Sequence, residues 1–228
     1  MKHIKEFSRQ ADSYIQTNII QKKVATHLIS KVKNSPKKIL DLGCGAGDIY
    51  NKIDWKLDKF IGVDSAKGMC NLHPKNNIVS ILNSNFEDLN FQKKMLTKAP
   101  FDLVISSSAL QWAKDIESLI AFTSKLSKNI AFSIFTSKTF EDIYKISELK
   151  TFLPNANELI KIARKYLDID YEIKVYRLEF EDNISKFRYI KKSGVSGGEK
   201  KLTLIQTKNL IKNYPYSYLE FEVLYLYK

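Results

Sequence analysis

The chain has 228 residues, of which 44% are hydrophobic and 27% are charged. This length favours one domain with a sizeable core, and this composition excludes a disordered chain. Lys and Arg number 37 against 25 Asp and Glu, so the net charge is +12. Such an excess is compatible with a nucleic acid, a membrane surface or an acidic protein as the partner.

The cysteines and apolar runs bear on metal binding, cellular compartment and membrane association. Cys44 and Cys70 are the only cysteines, and neither belongs to a CxxC pair. We therefore expect no metal site and a reducing, cytoplasmic location. The first residues lack the apolar core of a signal peptide, and no apolar run approaches the roughly 18 residues of a membrane-spanning helix. We expect no membrane association.

The first two thirds of the chain alternate between predicted helices and strands. Apolar residues near helical spacing predict one long helix or two short ones over 8–33, ended by Pro36. Five apolar runs then have the length and β-branched content of buried strands. These runs are 37–43, 60–64, 77–84, 101–107 and 129–136, and helices fit the intervening segments 46–54, 65–72 and 115–128. This alternation predicts a parallel sheet covered on both faces.

The pattern loosens after residue 136. We predict helices at 139–150, 156–167, 184–194 and 201–214, strands at 171–180 and 218–228, and a loop at 193–201. Since no linker divides the chain, we expect one domain. Its parts are an N-terminal helical lid (1–36), a ligand-binding core (37–136) and a substrate-side region (137–228).

A glycine-rich motif follows the first predicted strand. It contains Asp41, Gly43, Cys44, Gly45 and Gly47 in the order D-L-G-C-G-A-G. Glycines at this spacing let the backbone turn tightly beside a ligand. The spacing is GxGxG rather than the GxGxxG of dinucleotide binders, and Asp41 would repel a pyrophosphate. S-adenosylmethionine, with an ammonium and a carboxylate, suits Asp41 and free loop N–H groups better. An ordinary glycine turn is the alternative.

Polar residues also follow the next three strands, where open α/β sheets bind ligands. Asp64 and Ser65 end the second strand, and Asp64 can accept both ribose hydroxyls. Asn85 can accept from an adenine amino group, and the Phe86 N–H can serve adenine N1. Ser106 ends the fourth strand. The segment Ser106–Ser108 lacks the proline of enzymes that methylate base or glutamine nitrogens.

Taken together, these motifs resemble the class I S-adenosylmethionine-dependent methyltransferases. A narrower resemblance is to the malonyl-acyl carrier protein O-methyltransferases of biotin synthesis. It is carried by F-S-R-x-A-x-x-Y at 7–14 with Gln21, by S-A-L-Q-W at 108–112 and by F-R-x-x-K-K-x-G-V at 187–195. The family implies a Rossmann-like α/β fold with a seven-stranded, mostly parallel sheet, an antiparallel last strand and helices on both faces. It also implies a helical lid from the N-terminus and 139–212.

The resemblance implies methyl transfer to the free carboxylate of a malonyl thioester on acyl carrier protein. Tyr14, Gln111 and Arg188 are then the candidate catalytic residues. Trp112, Lys191 and Lys192 are the candidate substrate contacts. Tyr14 and Trp112 could instead pack as core aromatics, and Arg188 could lie on a solvated helix face. Related enzymes usually have an acid at the position of Asn85.

The positive charge is concentrated in two segments. Residues 1–38 contain nine basic and two acidic residues, and 183–212 contain eight basic and one acidic residue. Since acyl carrier proteins are acidic, we interpret these segments as surfaces that steer the carrier, and we expect a monomer that binds no nucleic acid. The alternatives are an O-methyltransferase of a small acid or quinone, an RNA methyltransferase and a nicotinamide-dependent oxidoreductase.

Overall fold

One seven-stranded sheet organises the chain. The computed structural model describes residues 18–192 and 203–228, without the side chains of Lys191, Lys192 and Leu204. The strands are β1 (Lys38–Leu42), β2 (Lys59–Asp64), β3 (Val79–Asn83), β4 (Leu103–Ser107), β5 (Ile130–Phe135), β6 (Asp170–Glu179) and β7 (Tyr218–Tyr227). Their order is β3-β2-β1-β4-β5-β7-β6. Among these strands, β7 is the one that runs in the direction opposite to the others, since it pairs antiparallel with both β5 and β6. The predicted mostly parallel sheet with an antiparallel last strand is confirmed.

Eight helices are described between these strands. They are α1 (Ile19–Ile29), α2 (Lys67–Leu72), α3 (Leu89–Leu96), α4 (Ile116–Ser124), α5 (Glu141–Ile146), α6 (Ala156–Tyr166), α7 (Asn183–Lys192) and α8 (Leu204–Asn213). Side chains cap the N-termini of several of these helices. The Asp88 carboxylate accepts from the Phe91 amide at the start of α3, and the Asp115 carboxylate accepts from the Ser118 amide at the start of α4. Such N-caps typically contribute about 1 kcal/mol.

Two predicted helices are shorter than expected. The helix predicted over 46–54 is only a 3-10 turn at Tyr50–Lys52. Left-handed glycines occupy the start of this connection, and the Trp55 indole donates to the Pro36 carbonyl at its end, so little chain remains for a helix. The helix predicted over 139–150 is reduced to α5, because Phe140 and Glu148 on either side have positive φ angles. The predicted helical residues 8–17 lie outside the described residues.

Both faces of the central strands are buried, whereas the edge strand β6 is partly exposed. One apolar cluster joins strands β1, β4 and β5 to α3, α4 and α6, and the other joins them to α1, α5 and α7. Parallel strands need this double cover. It brings the carboxyl ends of β1 to β4 together at one accessible edge. No described helix combines the length and apolar character needed to cross a membrane.

Candidate active site

The glycine-rich loop after β1 lies directly against the loop after β4. Gly43 has a φ of +76°, and a Cβ atom added to it would lie 2.2 Å from the Ala109 Cβ. Glycine is therefore needed at position 43 for its backbone angle and for this contact. Gly45 has a φ of +52°, and an added Cβ would meet no atom within 4 Å. The loop thus packs on one side and faces open space on the other.

Hydrogen bonds within the chain fix the shape of this loop. The amides of Gly43 and Cys44 both donate to the Val63 carbonyl, at 2.8 and 3.0 Å. The Gly47 amide donates to the Cys44 carbonyl at 3.0 Å, and the Gly45 amide donates to the Asp64 carboxylate at 2.9 Å. The expectation that these four N–H groups are free is therefore not met. Cys44 is buried, as expected of a small packing residue.

Asp41 is a buried carboxylate without a partner. Its exposed fraction is 1%, and neither oxygen has a hydrogen-bond partner. Burial, together with the nearby carboxylates of Asp64 and Asp48, raises its pKa well above the usual range. A buried polar group left unpaired is costly, so this position is suited to a cationic ligand group.

Asp64 ends β2 beside the glycine-rich loop. One of its oxygens accepts from the Gly45 amide and the other accepts from the Ala66 amide, at 2.9 and 2.7 Å. Burial raises its pKa, whereas the two amides act in the opposite direction. Each oxygen keeps a second lone pair, so the carboxylate can still accept from a diol. Ser65 follows it and is half-buried.

The loop after β3 is tied to the loop after β4. The Asn85 side-chain oxygen accepts from the Glu87 amide at 2.9 Å, which shapes a tight turn. Phe86 is half-buried and packs against the core. The Glu87 carboxylate accepts from the amides of Lys114 and Asp115, at 2.9 and 3.1 Å. No sequence motif predicts this link, since Glu87 belongs to none that can be recognised.

The end of β4 carries a row of polar side chains. Ser106 is fully buried, and its hydroxyl donates to the Leu42 carbonyl at 2.6 Å, which joins β4 to β1. Ser108 has a φ of +57°, and its buried hydroxyl has no partner. The Gln111 amide donates to the Ser108 carbonyl at 2.7 Å, while its own oxygen is buried without a partner. Half-buried Trp112 stacks on Phe152 with 5.2 Å between ring centres.

Of the remaining predicted residues, only Arg188 has a described side chain. Tyr14 lies outside the described residues, as do the side chains of Lys191 and Lys192. Arg188 is exposed on α7. The Ser185 amide is the main cause of the lowered pKa of Asp182, and the charge of Arg188 adds a smaller contribution. The neighbouring Tyr189 is buried instead.

A histidine supports the glycine-rich loop from behind, which was not expected. His73 is buried, and a Cβ added to Gly47 would lie 3.3 Å from its Nε2 and 2.7 Å from Pro74. Its Nδ1 lies 2.8 Å from the Pro74 carbonyl, so Nδ1 carries the proton and Nε2 has no partner. Burial lowers the pKa of His73 and keeps the ring neutral. A lone histidine far from the motif carries no sequence signal for this role.

The site therefore fits S-adenosylmethionine. The unpartnered Asp41 carboxylate can pair with a cation, Asp64 can accept from a ribose, and the open side of Gly45 admits close approach. Within residues 18–192 and 203–228, no three His, Cys, Asp or Glu side chains are grouped to hold a metal ion.

Comparisons with known proteins agree with this fit. Residues 39–129 match the family model described as a methyltransferase domain. A malonyl-[acyl-carrier protein] O-methyltransferase from Bacillus cytotoxicus is 28% identical over 174 residues, which cover 71% of this chain and 59% of that protein. Another from Calditerrivibrio nitroreducens is 26% identical over 231 residues, which cover 95% of this chain and 87% of that protein.

The fold also matches solved methyltransferase structures. The plantazolicin methyltransferase BpumL in complex with SAH is similar to this chain with a TM-score of 0.53 and 14% identity. The match covers 100% of this chain and 98% of the other. The domain match, the named relatives and the site together show that the cofactor is S-adenosylmethionine. The chain is an S-adenosylmethionine-dependent methyltransferase with a Rossmann-like fold.

Proposed function

We propose that the chain methylates the free carboxylate of a malonyl thioester carried by an acyl carrier protein, in biotin synthesis. The product is a methyl ester. The support comes from the two relatives, whose names state this activity, and above all from the acceptor side of the site. There, a buried hydroxyl and a buried amide oxygen without partners lie beside a stacked aromatic pair.

The acceptor wall suits an anionic acyl group. The Ser108 hydroxyl can donate to a carboxylate oxygen, and Trp112 on Phe152 offers an apolar surface to the acyl chain. Because Ala109 packs directly on Gly43, this wall lies next to the cofactor loop. The acceptor oxygen and the cofactor can therefore be held close together, which is the main source of catalysis expected in such a transfer.

The chemistry requires no general base. A carboxylic acid with a pKa near or below about 4 is already ionised at neutral pH. Bound S-adenosylmethionine supplies an activated methyl group on its sulfonium. The tasks left to the chain are to orient the acceptor, to exclude water and to avoid quenching the nucleophilic oxygen. The neutral side chains of Ser108 and Gln111 are suited to this, because neither forms an ion pair with a carboxylate.

The carrier protein would dock on the basic segments. Lys208 and Lys212 on α8 and Arg188 on α7 are exposed. Lys186 is an exception, since its exposed fraction is 1% and its ammonium bonds to the Asn183 side chain and the Tyr216 carbonyl. One positive charge of this segment is thus structural. We expect an acidic carrier to be steered by the others.

A transfer assay tests the proposal. Purified enzyme would be given methyl-labelled S-adenosylmethionine with malonyl-acyl carrier protein, malonyl-CoA or free malonate at equal concentrations. We expect label in a base-labile ester on the carrier-bound substrate, with a higher kcat/KM than for either smaller acceptor. Butyryl-acyl carrier protein, which lacks the distal carboxylate, is the matched control. A preference for free malonate, or no transfer to the carrier-bound group, would overturn the proposal.

A further inference from the structure

Helix α1 begins without a side-chain cap. Asn18 occupies the N-cap position, where its oxygen would normally accept from an amide of the first turn. Its side-chain nitrogen instead donates to the Asp48 carboxylate at 2.8 Å, at the end of the glycine-rich loop. The first amides of a helix have no partner within it and attract negative charge. The start of α1 thus offers donors next to the cofactor loop.

Tyr189 on α7 brings a further donor to the same place. Its exposed fraction is 7%, and its hydroxyl has no hydrogen-bond partner. The Ile20 amide, in the first turn of α1, is close enough to favour the ionised form of this hydroxyl. Burial dominates and raises the pKa of Tyr189 to about 12, so the group keeps its proton and can donate. A buried donor left unpaired is rare in folded proteins.

Acceptors lie beside these donors. The side-chain oxygens of Asn18 and Gln21 are buried without partners, with exposed fractions of 2% and 6% for the two residues. Asn18 is bonded to Asp48, and the charge of Asp48 acts on the unpartnered carboxylate of Asp41. Unsatisfied donors and unsatisfied acceptors therefore meet between α1, α7 and the glycine-rich loop. An α-amino acid group, with a carboxylate and an ammonium, would satisfy both sets.

We infer that the first turn of α1 and the Tyr189 hydroxyl bind the carboxylate of the cofactor's methionine moiety, while Asn18 and Gln21 accept from its ammonium. The bond from Asn18 to Asp48 places the start of α1 beside the cofactor loop. The inference concerns how the cofactor is held and does not depend on which acceptor is methylated. It assigns a cofactor contact to Tyr189, whereas the resemblance pointed to the neighbouring Arg188 as a candidate catalytic residue.

Two ligands separate this inference from a general effect on the fold. S-adenosylhomocysteine has the amino acid moiety, and 5′-methylthioadenosine lacks it. We expect Tyr189→Phe to weaken S-adenosylhomocysteine about 10-fold or more in calorimetric titration, the effect of losing one hydrogen bond to a charged group. The affinity for 5′-methylthioadenosine should stay unchanged. Tyr225→Phe, which removes a buried hydroxyl bonded to Tyr176, is the matched control.

The same titrations on Gln21→Met test the hydrogen-bond acceptors inferred for the ammonium. We again expect a selective loss of affinity for S-adenosylhomocysteine. Equal weakening of both ligands, or no change in either, would overturn the inference. An unchanged S-adenosylhomocysteine affinity with a raised KM for the acyl acceptor would also overturn it, since Tyr189 would then bind the acceptor carboxylate. Binding of 5′-methylthioadenosine by each variant verifies that it is folded.

Discussion

Under the proposed function, the cofactor edge of the sheet and the basic flanks recognise their ligands in different ways. At the edge, Asp41 is almost completely buried, and the glycine-rich loop packs on Ala109 without room for an added methyl group at Gly43. On α7 and α8, the exposed side chains of Arg188, Lys208 and Lys212 would act on the proposed carrier at long range, without a fixed geometry. We therefore expect single atoms to matter at the edge and only summed charge to matter on the flanks.

The largest effect is expected for Gly43→Ala. The new methyl group would lie 2.2 Å from the Ala109 Cβ, on a backbone with positive φ. Together, overpacking and left-handed strain should cost about 2–5 kcal/mol of unfolding free energy and abolish measurable cofactor binding. Denaturant unfolding and calorimetry would measure the two effects.

Gly45→Ala is the matched control, because its added Cβ meets nothing within 4 Å. It should cost only the backbone strain, about 1–2 kcal/mol. Equal destabilisation by the two variants would contradict the close packing of the loop on Ala109.

Asp41→Asn should weaken cofactor binding and at the same time raise the stability of the ligand-free protein. Removing the charge should weaken S-adenosylhomocysteine about 10- to 100-fold, as expected for a lost charged hydrogen bond. Without ligand, the variant should be the more stable protein, because wild type contains a buried carboxylate with no partner. Thermal melts with and without ligand would show the reversal. Exposed Asp168 provides the control substitution Asp168→Asn.

The stability gained by Asp41→Asn should depend on pH. The folded-state pKa of Asp41 is raised, so its contribution to stability is fully present below the unfolded-state pKa, about 4, and is lost as pH rises through the folded-state pKa. The difference in Tm between variant and wild type should therefore grow from pH 4 to pH 8. A difference in Tm that stayed constant with pH would show that the charge of Asp41 does not cause the change in stability.

Charge reversal on the flank should have a moderate effect on the acceptor alone. Lys208→Glu with Lys212→Glu on exposed α8 should raise KM for malonyl-acyl carrier protein about 10-fold at low salt, and the difference should shrink as salt increases. Cofactor affinity should not change.

The same reversal at exposed Lys93 and Lys94 on α3 is the matched control. If both pairs raised KM equally, net charge rather than a defined docking surface would be responsible. Steady-state kinetics at two salt concentrations would decide between these outcomes.

The smallest effect is expected at His73. Its folded-state pKa lies below the unfolded value, so the unfolded chain takes up a proton that the folded chain excludes as pH falls below about 6.5. Stability should therefore fall on acidification. His73→Gln should show a shallower loss of Tm between pH 7.5 and 5.5. Identical slopes would show that the ring titrates normally and does not support the loop as a neutral group.

The sequence predicted the sheet and the cofactor loop because their signals are local. Runs of β-branched residues predict the first five strands. The glycine spacing from Asp41 to Gly47 predicts a tight turn beside a ligand. The helix predicted over 46–54 was wrong because of the same glycine-rich motif. Its glycines have positive φ angles, which a right-handed helix excludes, although the periodic pattern alone predicts a helix there.

The contacts inferred for the cofactor's amino acid moiety depended on information that a linear pattern lacks. Arg188 and Tyr189 are adjacent, and which of them faces inward follows from the packing of α7 on the sheet. Lys186, Tyr189 and Ile190 are buried at helical spacing, a signal obscured by the charge of Lys186. The unpartnered oxygens of Asn18 and Gln21 became visible only when burial was known.

The Glu87 carboxylate has a thermodynamic consequence. Because it accepts from the Lys114 and Asp115 amides, the loop proposed to hold the adenine and the loop proposed to face the acceptor share one fixed point. Occupancy of either side that moves this point changes the free energy of occupying the other, and the two changes must be equal by linkage. Whatever order the two ligands follow in binding, Glu87 is then expected to contribute to their cooperativity.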